Sequence, residues 1–204
     1  MLKEDFLVEL GTEELPPKAL LKLSKSFQTG IIEGLKKESL AHGEVKSFAT
    51  PRRLAVLVCA LDDKQADRTT QKFGPAVKAA LDTHGNPTRA ADGFAKSCGV
   101  LVADLGRAPK DGVEKLSFSS TLPGKSTNEL LPAIVDAALA KLPIPKRMRW
   151  GASRNEFVRP VHWLVMLFGK EVVPSTIMGV TSGADSFGLR FHHPDKIRIG
   201  KPID

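Results

Sequence analysis

The first forty residues alternate between apolar and polar positions in two different periods. Phe6, Val8 and Leu10 occupy every second position, which is typical of a half-buried β-strand. Apolar residues then recur every three or four positions, as on one face of a helix; they are Leu20, Leu23, Phe27, Ile31 and Leu35. We expect this helix to end near Gly43, because glycine readily adopts the left-handed conformation that closes a helix.

Two further strands are predicted at residues 45–49 and 53–61. The second is a β-branched and aliphatic run, which indicates a central strand. Pro51 sets the turn between them. One long helix beside several strands predicts an α+β fold, with helices packed on a largely antiparallel sheet.

The middle of the chain lacks the long apolar strand and helix patterns of the first sixty residues. Residues 62–68 form a charged connector, and short helical patterns follow at residues 75–81 and 88–97. We therefore expect three parts: an N-terminal α+β part at residues 1–61, a small helical insertion at 62–112, and a second α+β part at 113–204.

The second α+β part begins with a strand around Leu116 and Phe118. Ser126 followed by Glu129 is a capping box, so a helix is predicted at residues 127–141. Two more strands are predicted at residues 161–168 and 171–177.

Composition narrows the possible partners. The chain has 204 residues, 42% of them hydrophobic, and a formal net charge of +7. Such a charge favours a polyanion such as a nucleic acid. The two cysteines, Cys59 and Cys98, lack metal-like spacing and favour a reducing, cytoplasmic location. The apolar runs are too short to span a bilayer, and the N-terminus lacks signal-peptide features, so we expect no membrane association.

Positive charge is concentrated between residues 141 and 159, where Glu156 is the single acid. The cations are Lys141, Lys146, Arg147, Arg149, Arg154 and Arg159. Such clusters neutralise phosphates, and Trp150 in their midst could stack on an exposed base. The alternative is a solvated charged loop, with Trp150 packed into the core beneath it.

Arg52 and Arg53 form a second basic pair beside Pro51. They could hold an RNA backbone. The alternative, which isolated basic pairs favour, is structural: one arginine caps the turn and the other pairs with an acid such as Glu44.

Two further groups could suggest catalysis or metal binding. Glu13 and Glu14 are adjacent, but they fit better in the first turn of the following helix, where negative charge complements the helix dipole. His192 and His193 precede Pro194-Asp195, yet a metal site needs three or four convergent ligands. The sequence also lacks phosphate-loop, dinucleotide-binding and nucleophile-elbow motifs. We therefore expect no catalytic residue and no metal site in this chain.

Several long motifs together resemble the β subunit of bacterial glycyl-tRNA synthetase. The most specific is Lys146-Arg147-Met148-Arg149-Trp150-Gly151, followed by Phe157-Val158-Arg159-Pro160-Val161-His162-Trp163. The others are Gly11-Thr12-Glu13-Glu14-Leu15-Pro16-Pro17, Thr50-Pro51-Arg52-Arg53-Leu54, Phe73-Gly74-Pro75, Gly93-Phe94-Ala95, Ser182-Gly183, and Arg190-Phe191-His192 with Pro194. One departure is Asp185, an acid in a segment that tends to be more basic in the family.

The resemblance implies an N-terminal fragment of a longer subunit in an α2β2 ligase. The α subunit would attach glycine to tRNA-Gly with ATP and Mg, and the β subunit would recognise the tRNA. This fragment would then be non-catalytic and hold no cofactor. Its expected phosphate contacts are Lys146, Arg147, Arg149, Arg154 and Arg159, with Trp150 stacking or supporting the loop and Arg52 and Arg53 in second rank.

An alternative function is a protein-interaction scaffold that docks the α subunit or braces the rest of β, with little RNA contact. Its sign would be exposed apolar surface at Phe157, Val158 and Val161.

Overall fold

The computed structural model describes residues 2–82, 85–188 and 195–203 and confirms the α+β class. In chain order the helices are α1 (Pro17–Lys37), α2 (Val77–Ala80), α3 (Arg89–Cys98) and α4 (Thr127–Ala140), with a short 3-10 helix at Val102–Asp104. The strands are β1 (Lys3–Thr12), β2 (Val45–Thr50), β3 (Arg53–Asp62), β4 (Arg68–Ala76), β5 (Gly106–Lys110), β6 (Val113–Leu122), β7 (Met148–Arg149), β8 (Glu156–Phe157), β9 (Val161–Phe168), β10 (Glu171–Val172), β11 (Thr176–Ile177), β12 (Val180–Gly183), β13 (Asp185–Phe187) and β14 (Lys196–Arg198).

The chain forms two compact units. Asp67–Gly124 is the inserted unit, and Met1–Ala66 together with Lys125–Asp204 forms the core unit. The predicted boundaries at residues 61 and 112 differ from this division. The reason is that β1 pairs with β9, so the segments on either side of the insertion share one sheet instead of forming separate parts.

The sheet of the core unit has the strand order β11-β12-β9-β1-β3-β2, and β10 also pairs with β9. β1 lies antiparallel to both β3 and β9, whereas β12 runs parallel to β9. Most residues of β1, β3 and β9 are buried, which explains why their sequences are near-continuous apolar runs.

Alternate residues of the sheet serve two separate cores. Val8, Val56 and Met166 face α1 and α4 and belong to the larger apolar cluster. The intervening residues, Leu7, Ala55, Trp163, Val165 and Leu167, face the other way and pack with Ala184. Strands β1, β3 and β9 at the centre of the sheet are therefore covered on both faces.

Two glycines of α1 let α4 approach closely. A Cβ atom built on Gly30 would lie 2.9 Å from the Cβ atom and 3.1 Å from the Cα atom of Ala138. One built on Gly34 would lie 2.5 Å from Cγ2 of Ile134. The helices consequently pack at these positions without room for a larger side chain.

The first helix ends earlier than its sequence suggests. Ser39 adopts a φ of 57°, and its N–H donates to the carbonyl of Lys36 at 3.0 Å. Leu40 donates to the carbonyl of Leu35 at 3.0 Å, and its side chain is buried. This is a Schellman closure with serine in the usual glycine position, so the predicted end near Gly43 is wrong.

Strand β3 contains a bulge opposite Asp5. The pairing of β1 with β3 shifts register between Glu4 and Phe6. Ala60 adopts a φ of 48°, and its N–H donates to Oδ1 of Asp5 at 2.8 Å. An alanine thus occupies a left-handed position that glycine takes without steric cost.

The inserted unit has a three-stranded antiparallel sheet in the order β4-β6-β5. Leu116 of β6 forms a small core with Ala80 and Ala91 of the short helices. The predicted helical stretches and the strand at Leu116 are present, but an insertion of helices alone is wrong. β4 begins with five exposed polar residues, so it lacks the alternation that announces a strand.

The predicted strand at residues 171–177 is divided into β10 and β11. Pro174 lies between them and has no N–H to donate to a ladder. Elsewhere α4 begins as predicted, since Oγ of Ser126 accepts a hydrogen bond from the N–H of Glu129 at 3.4 Å. None of the helices described here is long and apolar enough to cross a membrane.

Replacing Gly30 with alanine should destabilise the core unit by about 1–2 kcal/mol. Overpacking against Ala138 costs more than the gain of about 1 kcal/mol in helix propensity. Urea denaturation would measure the change. Gly93→Ala in α3 is the matched control, because no atom lies within 4 Å of that position. A stabilising Gly30→Ala would show that the two helices are not in close contact.

Replacing Ala60 with glycine should stabilise the core unit by about 0.5–1 kcal/mol, since the left-handed conformation is strained for alanine. Ala55→Gly, at an ordinary position of the same strand, should instead destabilise it by about 1 kcal/mol. Thermal and urea unfolding of the two variants should therefore change in opposite directions. Destabilisation by both would contradict the bulge.

Candidate nucleic-acid-binding surface

The basic run between residues 146 and 159 is built as a small hairpin. β7 pairs with β8, with Met148 opposite Phe157 and Arg149 opposite Glu156. Gly151, at a φ of 58°, lies in the connection between the strands. Phe157 is buried in the larger core and anchors the hairpin, so the charged side chains project from a supported surface. We call residues 146–159 the basic hairpin.

Three arginines of the basic hairpin have partners within the chain. Nε of Arg149 donates to Oε1 of Glu156 at 2.6 Å. Nη2 of Arg147 donates to the carbonyl of Ala140 at 2.8 Å and so caps the end of α4. Nε of Arg159 donates to the carbonyl of Glu14 at 3.0 Å. These contacts order the arginines, while Arg149 keeps 66% of its side chain exposed.

Lys146 and Arg154 are different. Both are exposed, and neither has a hydrogen-bond or ion-pair partner among the described residues. Lys141, just before the hairpin, pairs with Glu33 at 3.5 Å. Lys146 and Arg154 are therefore the cations that can bind a phosphate without giving up an internal contact.

Trp150 is half-buried and packs against the larger core. Its carbonyl accepts a hydrogen bond from Oγ of Ser153 at 3.2 Å. This arrangement corresponds to the alternative in which the indole supports the loop. A stacking role would need the indole to leave that contact.

The motif at residues 11–17, which we call the opening motif, lies beside the basic hairpin. The N–H of Glu13 donates to the carbonyl of Pro160 at 2.9 Å, and the N–H of Leu15 donates to the carbonyl of Pro51 at 2.6 Å. The motif thus joins the hairpin to the turn between β2 and β3.

The predicted role of Glu13 and Glu14 in the helix is wrong. α1 begins at Pro17, and its first turn contains no acid. The two prolines displace the helix start, so both acids lie in the preceding loop. Oε1 of Glu13 is 2.9 Å from Nε2 of His162, and Glu14 is exposed. Sequence spacing could not reveal a partner 149 positions away.

Arg53 belongs to a buried polar network centred on Glu9. Nη1 of Arg53 donates to Oε2 of Glu9 at 3.0 Å, and Nε1 of Trp163 donates to Oε1 at 2.7 Å. The hydroxyl of Ser186 also donates to Oε1, and Nη2 of Arg53 donates to the carbonyl of Phe187. Only 6% of the Glu9 side chain is exposed, so this charge needs those donors.

This network was not predicted from sequence. The structural alternative for the arginine pair is correct in pairing one arginine with an acid, but that acid is Glu9 and not Glu44, which pairs with Lys46 at 3.2 Å. The one sequence feature that could have indicated this network is Glu9, a single acid within the apolar strand β1.

Arg52 is half-buried, and its carbonyl accepts the N–H of Thr12 at 2.8 Å. As RNA contacts, Arg52 and Arg53 stay second-rank predictions, because neither is presented as openly as Lys146.

Gly11 shows how tightly this region is packed. A Cβ atom built there would lie 1.9 Å from the Trp163 indole, so only glycine fits beneath the ring. Across the residues that the structure describes, no group of three or more histidine, cysteine or acidic side chains could hold a metal. His192 and His193, for which no metal site was expected, lie outside the described residues.

Comparison with known proteins identifies the family. The family model described as "Glycyl-tRNA synthetase beta subunit" matches residues 6–204. The chain is 55% identical over 202 residues to the "Glycine--tRNA ligase beta subunit" of Pseudomonas aeruginosa (strain LESB58), covering 99% of this chain and 29% of the relative. It is 51% identical over 204 residues to the protein of the same name from Marinobacter nauticus, covering 100% and 29%. The Hahella chejuensis relative is 52% identical over 204 residues, covering 100% and 30%.

The chain thus spans less than a third of the length of these relatives. The match nevertheless includes both the opening motif and the basic hairpin. The chain belongs to the glycyl-tRNA synthetase beta subunit family.

Proposed function

We propose that this chain is a tRNA-recognition portion of the β subunit of a two-subunit glycyl-tRNA synthetase. In this role it supports the ATP-dependent attachment of glycine to tRNA-Gly in the cytoplasm. The α subunit of an α2β2 assembly carries out the ligation and binds ATP and Mg. Membership of the family supports a role in glycyl-tRNA synthesis.

The observation that carries the RNA-binding part of the proposal is the exposure of unpaired cations on a hairpin that Phe157 anchors in the core. Lys146 and Arg154 flank Arg149, whose guanidinium is also mostly exposed. Phosphates attract such cations over a Debye length and release counterions on contact. A buried anchor such as Phe157 holds the backbone that carries the cations, which lowers the entropy lost when RNA binds.

The cations would act in two ways. Lys146 and Arg154 bind phosphates directly. Arg149 must exchange Glu156 for a phosphate, but an exposed ion pair contributes only about 0.2–1 kcal/mol, so the exchange is feasible. The remaining N–H groups of Arg147 and Arg159 can add contacts while their internal hydrogen bonds hold them in place.

The protein-interaction scaffold was expected to show exposed apolar surface at three residues, and the structure shows them buried. Phe157, Val158 and Val161 are 0%, 6% and 5% exposed, so they present no apolar surface to a partner. They fill the core beneath the hairpin instead. Docking of the α subunit elsewhere on the chain is compatible with tRNA recognition.

Replacing both Lys146 and Arg154 with alanine should weaken binding of a tRNA-Gly transcript about tenfold at low salt. Each lost phosphate contact should also reduce the salt slope by about 0.7–0.9, so the plot of log affinity against log salt becomes shallower. Filter binding over a salt series measures both effects.

The matched control for this double variant is Lys36→Ala with Lys37→Ala. These lysines are exposed in the last turn of α1, and their removal changes the net charge equally. Equal losses in the two double variants would show that only overall charge matters. An unchanged slope in the Lys146/Arg154 variant would overturn the proposed contact.

Replacing Glu156 with glutamine should tighten tRNA binding about twofold to threefold, because Arg149 no longer has an acidic competitor. The substitution keeps the side-chain size, so stability should fall by at most about 1 kcal/mol. The same titration detects the change. Weaker binding would indicate that the ion pair holds Arg149 in its active position.

A further inference from the structure

An apolar groove of about 480 Å³ lies against the basic hairpin. Its size falls within the range of about 300–1,000 Å³ that is usual for small-molecule sites. The first turns of α1, the segment after α4 and the hairpin all contribute to it. The lining residues that matter here are Pro16, Ala19, Pro145, Lys146, Met148 and Arg159.

The walls of the groove are apolar and stiff. Pro16 and Pro145 have fixed φ angles, and Ala19 belongs to a long helix. None of the described residues that line the groove is acidic. A preformed apolar surface of this kind suits a flat, weakly polar group, because little ordering is needed when the group binds.

The charged residues of the groove are both cations. Lys146 has no partner in the described part of the chain. Arg159 uses Nε and Nη1 for the carbonyls of Glu14 and Val158, and Nη1 also donates to Sδ of Met148 at 3.9 Å. Its Nη2 group donates to none of the described residues. The groove therefore complements an occupant that combines a flat apolar face with negative charge.

We propose that this groove holds an unstacked nucleotide of an RNA, with the base against the prolines and Met148 and the phosphate at Lys146 and Arg159. The inference rests on the proposed RNA-binding function and specifies its ligand as single-stranded. A base inside a duplex is stacked on its neighbours and cannot enter a groove, whereas an unpaired base can. An amphipathic peptide would match the apolar walls, but only an acidic one would also match the two cations Lys146 and Arg159.

The test compares a short single-stranded RNA carrying one 2-aminopurine with a blunt duplex of the same sequence. Binding should increase the 2-aminopurine fluorescence, because the base leaves its neighbours for aliphatic surroundings. Filling the groove with Ala19→Trp should weaken single-strand binding about fivefold, because the indole displaces the base from the apolar surface that it would otherwise bury. Duplex binding, which uses phosphates alone, should change by less than about twofold.

Leu21→Trp is the matched control. Leu21 is exposed in the same helix two positions further along, on the side away from Ala19, so the same ring added there should change neither affinity. If Ala19→Trp fails to fold, Met148→Gln keeps the test decisive. Met148 is partly exposed, and its replacement should weaken single-strand binding about threefold.

The outcomes separate this inference from the proposed function. Equal binding of single strand and duplex, with no effect of Ala19→Trp, would overturn the groove assignment, while loss of tRNA binding in the Lys146/Arg154 variant would still support the proposed function. If Ala19→Trp had no effect and the Lys146/Arg154 variant also kept its tRNA affinity and salt slope, both the groove assignment and the proposed function would be overturned. If Ala19→Trp spared RNA binding but released the α subunit from the assembled complex, the groove would be a protein-docking site and the nucleotide assignment would be wrong.

Discussion

The pairing of β1 on both of its edges is the constraint on which the core unit depends. β1 lies between β3 and β9, and its two faces contribute to both apolar clusters. Its end continues into the loop whose backbone binds Pro51 and Pro160. A single strand therefore positions the sheet, the turn after β2 and the base of the basic hairpin. Displacing β1 by one residue would exchange its two faces and remove all three.

The Glu9 network bears on the register of this pairing. A carboxylate with almost no access to water is stable only when donors replace its hydration. Here the donors come from β3, β9 and β13, so the charge can be satisfied only when all of these strands are in register. The Arg53 guanidinium also lies 5.9 Å from the centre of the Trp163 ring, and the ring lies 5.0 Å from that of Phe187. Both faces of β1 are apolar, so we expect the buried charge to favour the one register in which its donors meet.

Local patterns predicted the elements whose sequence signal lies within one segment. The stripe of α1, the aliphatic run of β3 and the capping box of α4 all carry their signal within one segment. β4 carried no such signal because its polar residues are held by pairing with β6. The division into units was missed for the same reason, since the pairing of β1 with β9 is non-local.

The sequence predicted that the candidate surface is positively charged, but it did not predict the contacts of the individual arginines. Counting charges could not show that Arg147 caps a helix, that Arg149 faces Glu156, or that Arg53 serves Glu9. Those contacts join residues that only the fold brings together, or that face each other because of hairpin register. Only the folded chain shows which cations already have an internal partner and which are left to bind a phosphate.

The place where the inserted unit leaves the core unit has a consequence for how the chain reaches its fold. The chain departs and returns at one point, where Gln65 binds Lys125 and Asp63 binds Thr127 through their backbones. Glu9 and Trp163 are 154 positions apart, so their strands must meet across a long loop, and the entropy lost in closing a loop rises with its length. An insertion that has already become compact brings its two ends together and shortens the effective loop. In this way the inserted unit would accelerate the assembly of a sheet to which it contributes no strand.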